Sequence, residues 1–68
     1  MIPSSTEIRA ARKAAGLTQA AFGALCHRSE RAVQDAEAGV RNLDAAAWEL
    51  ALLRLDVHPT FRLRARRP

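Results

Sequence analysis

The stretch TQAAFGALCHRSERAVQDAEAG, residues 18–39, decides the fold. Thr18 is placed to cap a helix that carries Phe22 and Leu25 as its apolar stripe. Cys26, His27 and Arg28 are too few to form anything but a turn. Ser29 is placed to cap a second helix, Glu30 to Ala38, which Gly39 ends. Two helices of roughly eight residues joined by so short a turn must cross steeply, and the crossing needs a small residue, for which Gly23 is the candidate. Phe22, Cys26, Val33 and Ala36 then meet between the helices. The N-terminal end of the second helix is left with polar residues facing outward.

The same punctuation extends in both directions. Ser4 and Glu7 have the spacing of a capping box. Behind them Ile8, Ala11, Arg12 and Ala15 share one helix face, and Gly16 stands where a left-handed cap belongs. Downstream, Asp44 caps a helix in which Ala47, Trp48, Ala51, Leu52 and Leu55 recur at helical spacing, and Asp56 to Pro59 end it. The expectation is an all-α domain of four short helices over residues 1–59, followed by a tail, residues 60–68. The tail alternates, with Phe61, Leu63 and Ala65 on one side and arginines on the other. Period two is a strand signature, and a lone strand needs a partner. Two tails pairing across a dimer axis would bury Phe61 and Leu63. The alternatives are a solvated basic arm that folds on a partner and a short fifth helix.

Composition narrows the class of function. The chain has 68 residues, 11 Lys and Arg against 7 Asp and Glu, and a net charge of +4. That balance favours an anionic partner, nucleic acid or a membrane surface. Only 4% of residues are aromatic, so the core is thin, and domains below about 70–80 residues often need an additional staple. One cysteine cannot form an internal disulfide, and no Cys/His spacing suggests zinc. Oligomerisation is the staple that remains. The N-terminus lacks the apolar run of a signal peptide, and no stretch reaches the ~20 apolar residues of a membrane span. The expected location is therefore the cytoplasm or nucleoid, with no membrane partner, no cofactor and no small-molecule ligand.

Gly-Leu-Thr-Gln-Ala at 16–20, the Ser29-x-x-x-Val33 spacing and Glu37-Ala38-Gly39 together resemble the Cro/cI-type (XRE-like) helix-turn-helix domain of phage and bacterial repressors. The resemblance covers about residues 6–57 and runs without a gap through the 22-residue stretch. It implies a lambda-repressor-like fold that binds double-stranded DNA. On that resemblance, Ser29, Glu30, Arg31, Gln34 and Asp35 occupy recognition-helix positions facing bases or flanking phosphates. Gln19 matches a position that binds backbone phosphate, and Arg41 and Asn42 lie in a loop that touches the next phosphates. Arg12 and Glu37 match a pair that ties the first helix to the third through a partly buried salt bridge. Three positions depart from the family pattern. His27 stands where Gly is usual, Arg28 where an apolar residue is usual, and Ala36 where a larger one is, with Trp48 available to fill the space. The stem of Arg28 can pack while its guanidinium reaches solvent or phosphate.

The chemistry of these side chains gives each a specific expectation. Arg31 can pair with both acceptors of guanine and Gln34 with adenine. Both also have plainer uses, as a phosphate contact or a solvated surface group. Glu30 and Asp35 are repelled by phosphates, so they are expected to accept from cytosine, to orient Arg31, or to disfavour wrong sites. Cys26 beside His27 is expected to be a core thiol rather than a nucleophile or ligand, and His58 is expected to be exposed and inert. With no glycine-rich phosphate loop and no triad, the chain is not expected to be an enzyme. The expected function is a transcriptional regulator, a homodimeric repressor on an inverted-repeat operator. It would be of phage or mobile-element type and could regulate its own operon, as an anti-CRISPR-associated repressor does. The alternative from another class is a protein-binding module, an antitoxin or antirepressor on the same scaffold.

Overall fold

The structure is a computed structural model and describes residues 2–57. The tail, including Phe61 and Leu63, and the end of the expected domain at His58 and Pro59 lie outside the described residues. Four helices follow in order: α1 (Ser5–Ala14), α2 (Gln19–Leu25), α3 (Glu30–Glu37) and α4 (Ala45–Arg54). The described residues form no strand, and the class is all-α. The expected third helix runs one residue shorter, with Ala38 as its C-cap.

Each helix starts on a side-chain cap. The oxygens of Ser4, Thr18, Ser29 and Asp44 accept from the backbone N–H of Glu7, Ala21, Ala32 and Ala47 respectively. These bonds satisfy amides that a helix start otherwise leaves open. At α1 the box is complete, because Glu7 Oε1 also accepts from the Ser4 N–H at 2.9 Å.

Each helix also ends in the same way. Gly16, His27, Gly39 and Asp56 all have left-handed backbone, with φ of 69°, 58°, 77° and 59°. The next amide in each case donates back across the turn: Leu17 to the Arg12 carbonyl, Arg28 to Gly23, Val40 to Asp35 and Val57 to Leu52. That 6→1 bond is the Schellman closure. His27 and Asp56 adopt it without the freedom of glycine, which stores strain at both positions.

The core is one cluster of Ile8, Phe22, Cys26, Val33, Ala36, Leu43, Ala47, Trp48 and Ala51. α3 packs on α2 and α1, and α4 packs on α2. Trp48 is buried within the single chain, where a bulky ring compensates for a cluster rich in alanine. Beyond the cluster, Ala10, Ala11, Ala14 and Ala15 of α1 and Leu55 and Val57 after α4 line an open apolar cavity of about 470 Å³.

Gly23 earns its place by geometry. A Cβ built there would lie 2.5 Å from the backbone oxygen of Arg28 and 3.2 Å from that of Ser29. The close approach is to the turn backbone rather than to the facing helix. Glycine therefore sets how tightly the chain folds back between α2 and α3.

Candidate functional site

α3 divides sharply into two faces. Val33, Ala36 and Glu37 are buried against the rest of the domain. Ser29, Glu30, Arg31 and Gln34 are exposed, and so are Arg41 and Asn42 in the loop that follows. The structure thus brings most of the expected base-reading residues onto one solvent-facing surface, starting at the helix N-terminus. Asp35 is the exception, with its side chain 22% exposed against 81% for Arg31.

Arg31 and Asp35 form an ion pair one turn apart, Nε to Oδ1 at 3.2 Å. The acid that touches Arg31 is therefore Asp35 and not its neighbour Glu30. The bond uses Nε alone, and the Arg31 side chain remains largely exposed. Asp35 also anchors the end of α3, because its carbonyl accepts from the amides of Val40 and Arg41.

Below this surface Glu37 gathers three elements. Its carboxylate accepts from Arg12 Nε at 2.6 Å and Arg12 Nη2 at 3.0 Å, which ties α1 to α3 in a two-pronged contact. Gln19 Nε2 at the start of α2 donates to the same carboxylate at 3.3 Å. Arg9 approaches at 3.8 Å and donates through Nη2 to the Glu37 carbonyl at 2.8 Å. Arg12 reaches further, to the Leu17 carbonyl at 3.0 Å, and so braces the α1–α2 turn.

The Glu37 side chain is only 4% exposed. Hydrogen bonding from Arg12 nevertheless holds its pKa below the ordinary carboxylate value, outweighing the burial that would raise it, and Gln19 and Arg9 act in the same direction. The same contact raises the Arg12 pKa. Gln19, the expected phosphate contact, is thus already engaged inside the domain. The Arg12–Glu37 pair was expected from the family resemblance alone, whereas the part played by Arg9 was not expected. Its signal was the three-residue spacing to Arg12, which puts both on one face of α1.

Arg28 takes a different place from the one its position suggests. Its guanidinium is partly exposed but is not free. It meets Asp44 with two bonds, Nε to Oδ1 at 3.0 Å and Nη2 to Oδ2 at 2.9 Å. Asp44 is at the same time the N-cap of α4, accepting from the Ala47 amide. Desolvation pushes the Asp44 pKa up, but the bonds from Arg28 and Ala47 and the charge of Arg28 prevail, and the net shift is downward. This pair has a structural reason. The residues before the other three caps, Pro3, Leu17 and Leu43, are apolar and buried or partly so. Such residues fix the angle at which the chain enters a helix. At α3 that residue is Arg28, and the bridge to α4 does the fixing instead.

Cys26 is buried, and its Sγ lies 3.6 Å from the carbonyls of Phe22 and Gly23. Desolvation raises its pKa and keeps it a thiol. Among the described residues no cluster of three or more His, Cys, Asp or Glu is placed to hold a metal. No helix among them is long and apolar enough to cross a membrane.

No protein-family model matches this chain, and no curated protein sequence is significantly similar to it.

Proposed function

We propose that this chain is a sequence-specific binder of double-stranded DNA that regulates transcription, with α3 as the helix that reads bases in the major groove. The observation that carries this reading is the division of α3. Its buried face is locked by Val33, Ala36 and Glu37, while Ser29, Arg31 and Gln34 stand exposed from its N-terminal end. A helix presented end-first with polar side chains has the form that enters a major groove. Arg31, aligned by Asp35, has the donors to pair with guanine O6 and N7, and Gln34 those to pair with adenine. Arg41 and Asn42 are the candidates for phosphate contact beside it. For Arg28 and Gln19, a phosphate contact would mean sharing or exchanging the carboxylate each already meets.

The chain is further proposed to act as a homodimeric repressor on an inverted repeat, with half-sites about 34 Å apart. Occlusion of a promoter suits a domain whose exposed chemistry is confined to binding.

Selection of duplexes from a random pool, followed by titration with wild type and Arg31→Ala, tests the reading. Enrichment of a defined sequence is expected, with Arg31→Ala costing about 1–3 kcal/mol at one guanine-bearing position and little elsewhere. A pool that remains random, or a variant that weakens all duplexes equally, overturns it. The second reading, a protein-binding module, is favoured by Glu30 and Asp35, the two acids among the expected base-reading positions of α3. It predicts the random pool.

A further inference from the structure

The Arg31–Asp35 pair breaks the charge rule of the helix that carries it. Arg31 is the second residue of α3 and Asp35 the third from its end. A helix is positive at its start and negative at its finish, so it favours acids first and bases last. An ion pair one turn apart is likewise better with the acid ahead of the base. Here the order is reversed, and the last turn of α3 holds no base at all. Arg31 is also 81% exposed, and ion pairs in water contribute little to stability. A local preference broken without a gain in stability marks a functional position.

The two partners are unequal. Asp35 is the fixed one. Its side chain is only 22% exposed, buried Ala36 and Glu37 follow it directly, and its carbonyl closes the end of α3 by accepting from Val40 and Arg41. Arg31 meets its carboxylate through Nε at 3.2 Å. Nε carries one N–H of the guanidinium's five, so the pair does not use the four on the terminal nitrogens.

Such a pair treats two ligands differently. Guanine offers two uncharged acceptors, O6 and N7, to two arginine donors. Arg31 can supply them from its terminal nitrogens while Nε stays with Asp35. A phosphate offers a full negative charge. Binding it exchanges one anion for another and leaves the Asp35 carboxylate beside the duplex, where like charges repel. The acid thus weakens a phosphate contact by Arg31 and leaves a guanine contact whole.

We infer that Asp35 is a positioning residue that sets specificity, holding Arg31 for guanine and denying it to the DNA backbone. The inference rests on the DNA-binding reading above and deepens it: an acid, not a further base contact, supplies discrimination at this position.

The test is Asp35→Asn in the full-length chain, which keeps the size of the side chain and removes its charge. Binding is measured from 50 to 200 mM KCl on a duplex enriched by selection with the wild type and on a 20-bp scrambled duplex. Arg31 released to a phosphate should tighten binding to the scrambled duplex and steepen its slope of log affinity against log salt by about 0.9 per chain. The ratio of selected to scrambled affinity should fall by about 5-fold or more, the lower end of what one two-pronged base contact discriminates. Asp35→Glu, which keeps the charge, should restore most of the ratio. In an Arg31→Ala background Asp35→Asn should leave the ratio where Arg31→Ala put it, since no arginine remains to be held. Asp56→Asn removes the same charge at the end of α4 and should leave the ratio at the wild-type value.

A ratio that survives Asp35→Asn overturns the inference. So does a fall of equal size in the Arg31→Ala background, which would mark a role for Asp35 that does not pass through Arg31. So does an equal fall in Asp56→Asn, which would mark net charge alone. The two readings fail separately. A wild type that enriches no sequence refutes base reading by α3 and the inference with it. A wild type whose preferred duplex is kept undiminished by Asp35→Asn refutes the inference alone.

Discussion

Replacing Glu37 by Gln probes the junction that fixes α3. The carboxylate accepts two charge-assisted bonds from Arg12 and one from Gln19. A Gln amide is nearly isosteric but brings an NH2 group. Whichever way it is turned, that group faces a donor, either Arg12 Nε or the Arg12 Nη2 and Gln19 pair. Bonds to charged groups contribute about 1.5–3 kcal/mol each and neutral ones about 1. Arg9 is half-exposed and can recover water, which limits the penalty. The net loss is about 2–3 kcal/mol, at or just below the bottom of the range of about 3–5 kcal/mol for breaking a buried pair. A chain of this length has roughly 3–10 kcal/mol of stability in all. At about 4–8 °C per kcal/mol, Tm should fall by roughly 10–20 °C.

Acid provides a second readout of the same carboxylate. The folded pKa of Glu37 lies below its ordinary 4.5. Its contribution is therefore complete above that value and disappears as pH falls through the folded pKa. The Tm gap between wild type and Glu37→Gln, followed by circular dichroism, should be widest near neutrality and close in acid below the ordinary carboxylate range. A gap of only about 2–3 °C at neutral pH, less than 1 kcal/mol on the same scale, would refute the reasoning. A gap that does not change with pH would refute it as well.

Three further outcomes follow from the turns and caps. Gly23→Ala should destabilise by about 1–3 kcal/mol in denaturant titration, because its methyl meets backbone that cannot swing aside, despite alanine's ~1 kcal/mol advantage inside a helix. His27→Gly should raise Tm by about 3–6 °C: relief of left-handed strain, about 1–2 kcal/mol, exceeds the entropic cost of glycine, about 0.5–1. Asp44→Asn keeps a capping oxygen and loses the Arg28 pair, so it should cost about 0–1 kcal/mol at neutral pH, while Asp44→Ala should cost about 1 more. Because the folded pKa of Asp44 is lowered, its ionised form stabilises above the ordinary carboxylate range and the benefit is lost on acidification through the folded pKa. Thermal melts of both variants from neutral to acid pH check this.

Helix starts were legible because a cap is local: Ser4, Thr18, Ser29 and Asp44 each bond an amide three residues on. The buried set Phe22, Cys26, Val33 and Ala36 was legible for the same reason, since period 3.6 fixes a face. Contacts joining distant residues were harder to read. Arg28 and Asp44 are 16 residues apart, and Arg9 and Glu37 are 28 apart. Nothing in the spacing of either pair announces a meeting. Asp56 was read only as part of a helix end, yet it repeats the left-handed closure of Gly16 and Gly39. An aspartate tolerates that backbone without advertising it as glycine does.

α3 is held at both of its ends. At one, the chain turns against Gly23 and the Ser29 cap; at the other, Glu37 is gripped from α1 and α2. Mechanically it is a short beam supported at each end, with little room to roll or slide. A surface mounted in this way is expected to adapt little to what it meets. On the proposed DNA-binding function, a mismatch of shape would then be absorbed by the duplex, through bending or twisting at its softer base steps. Stiffness in the protein would thus be expressed as a preference for deformable sequence, even at positions that no side chain touches.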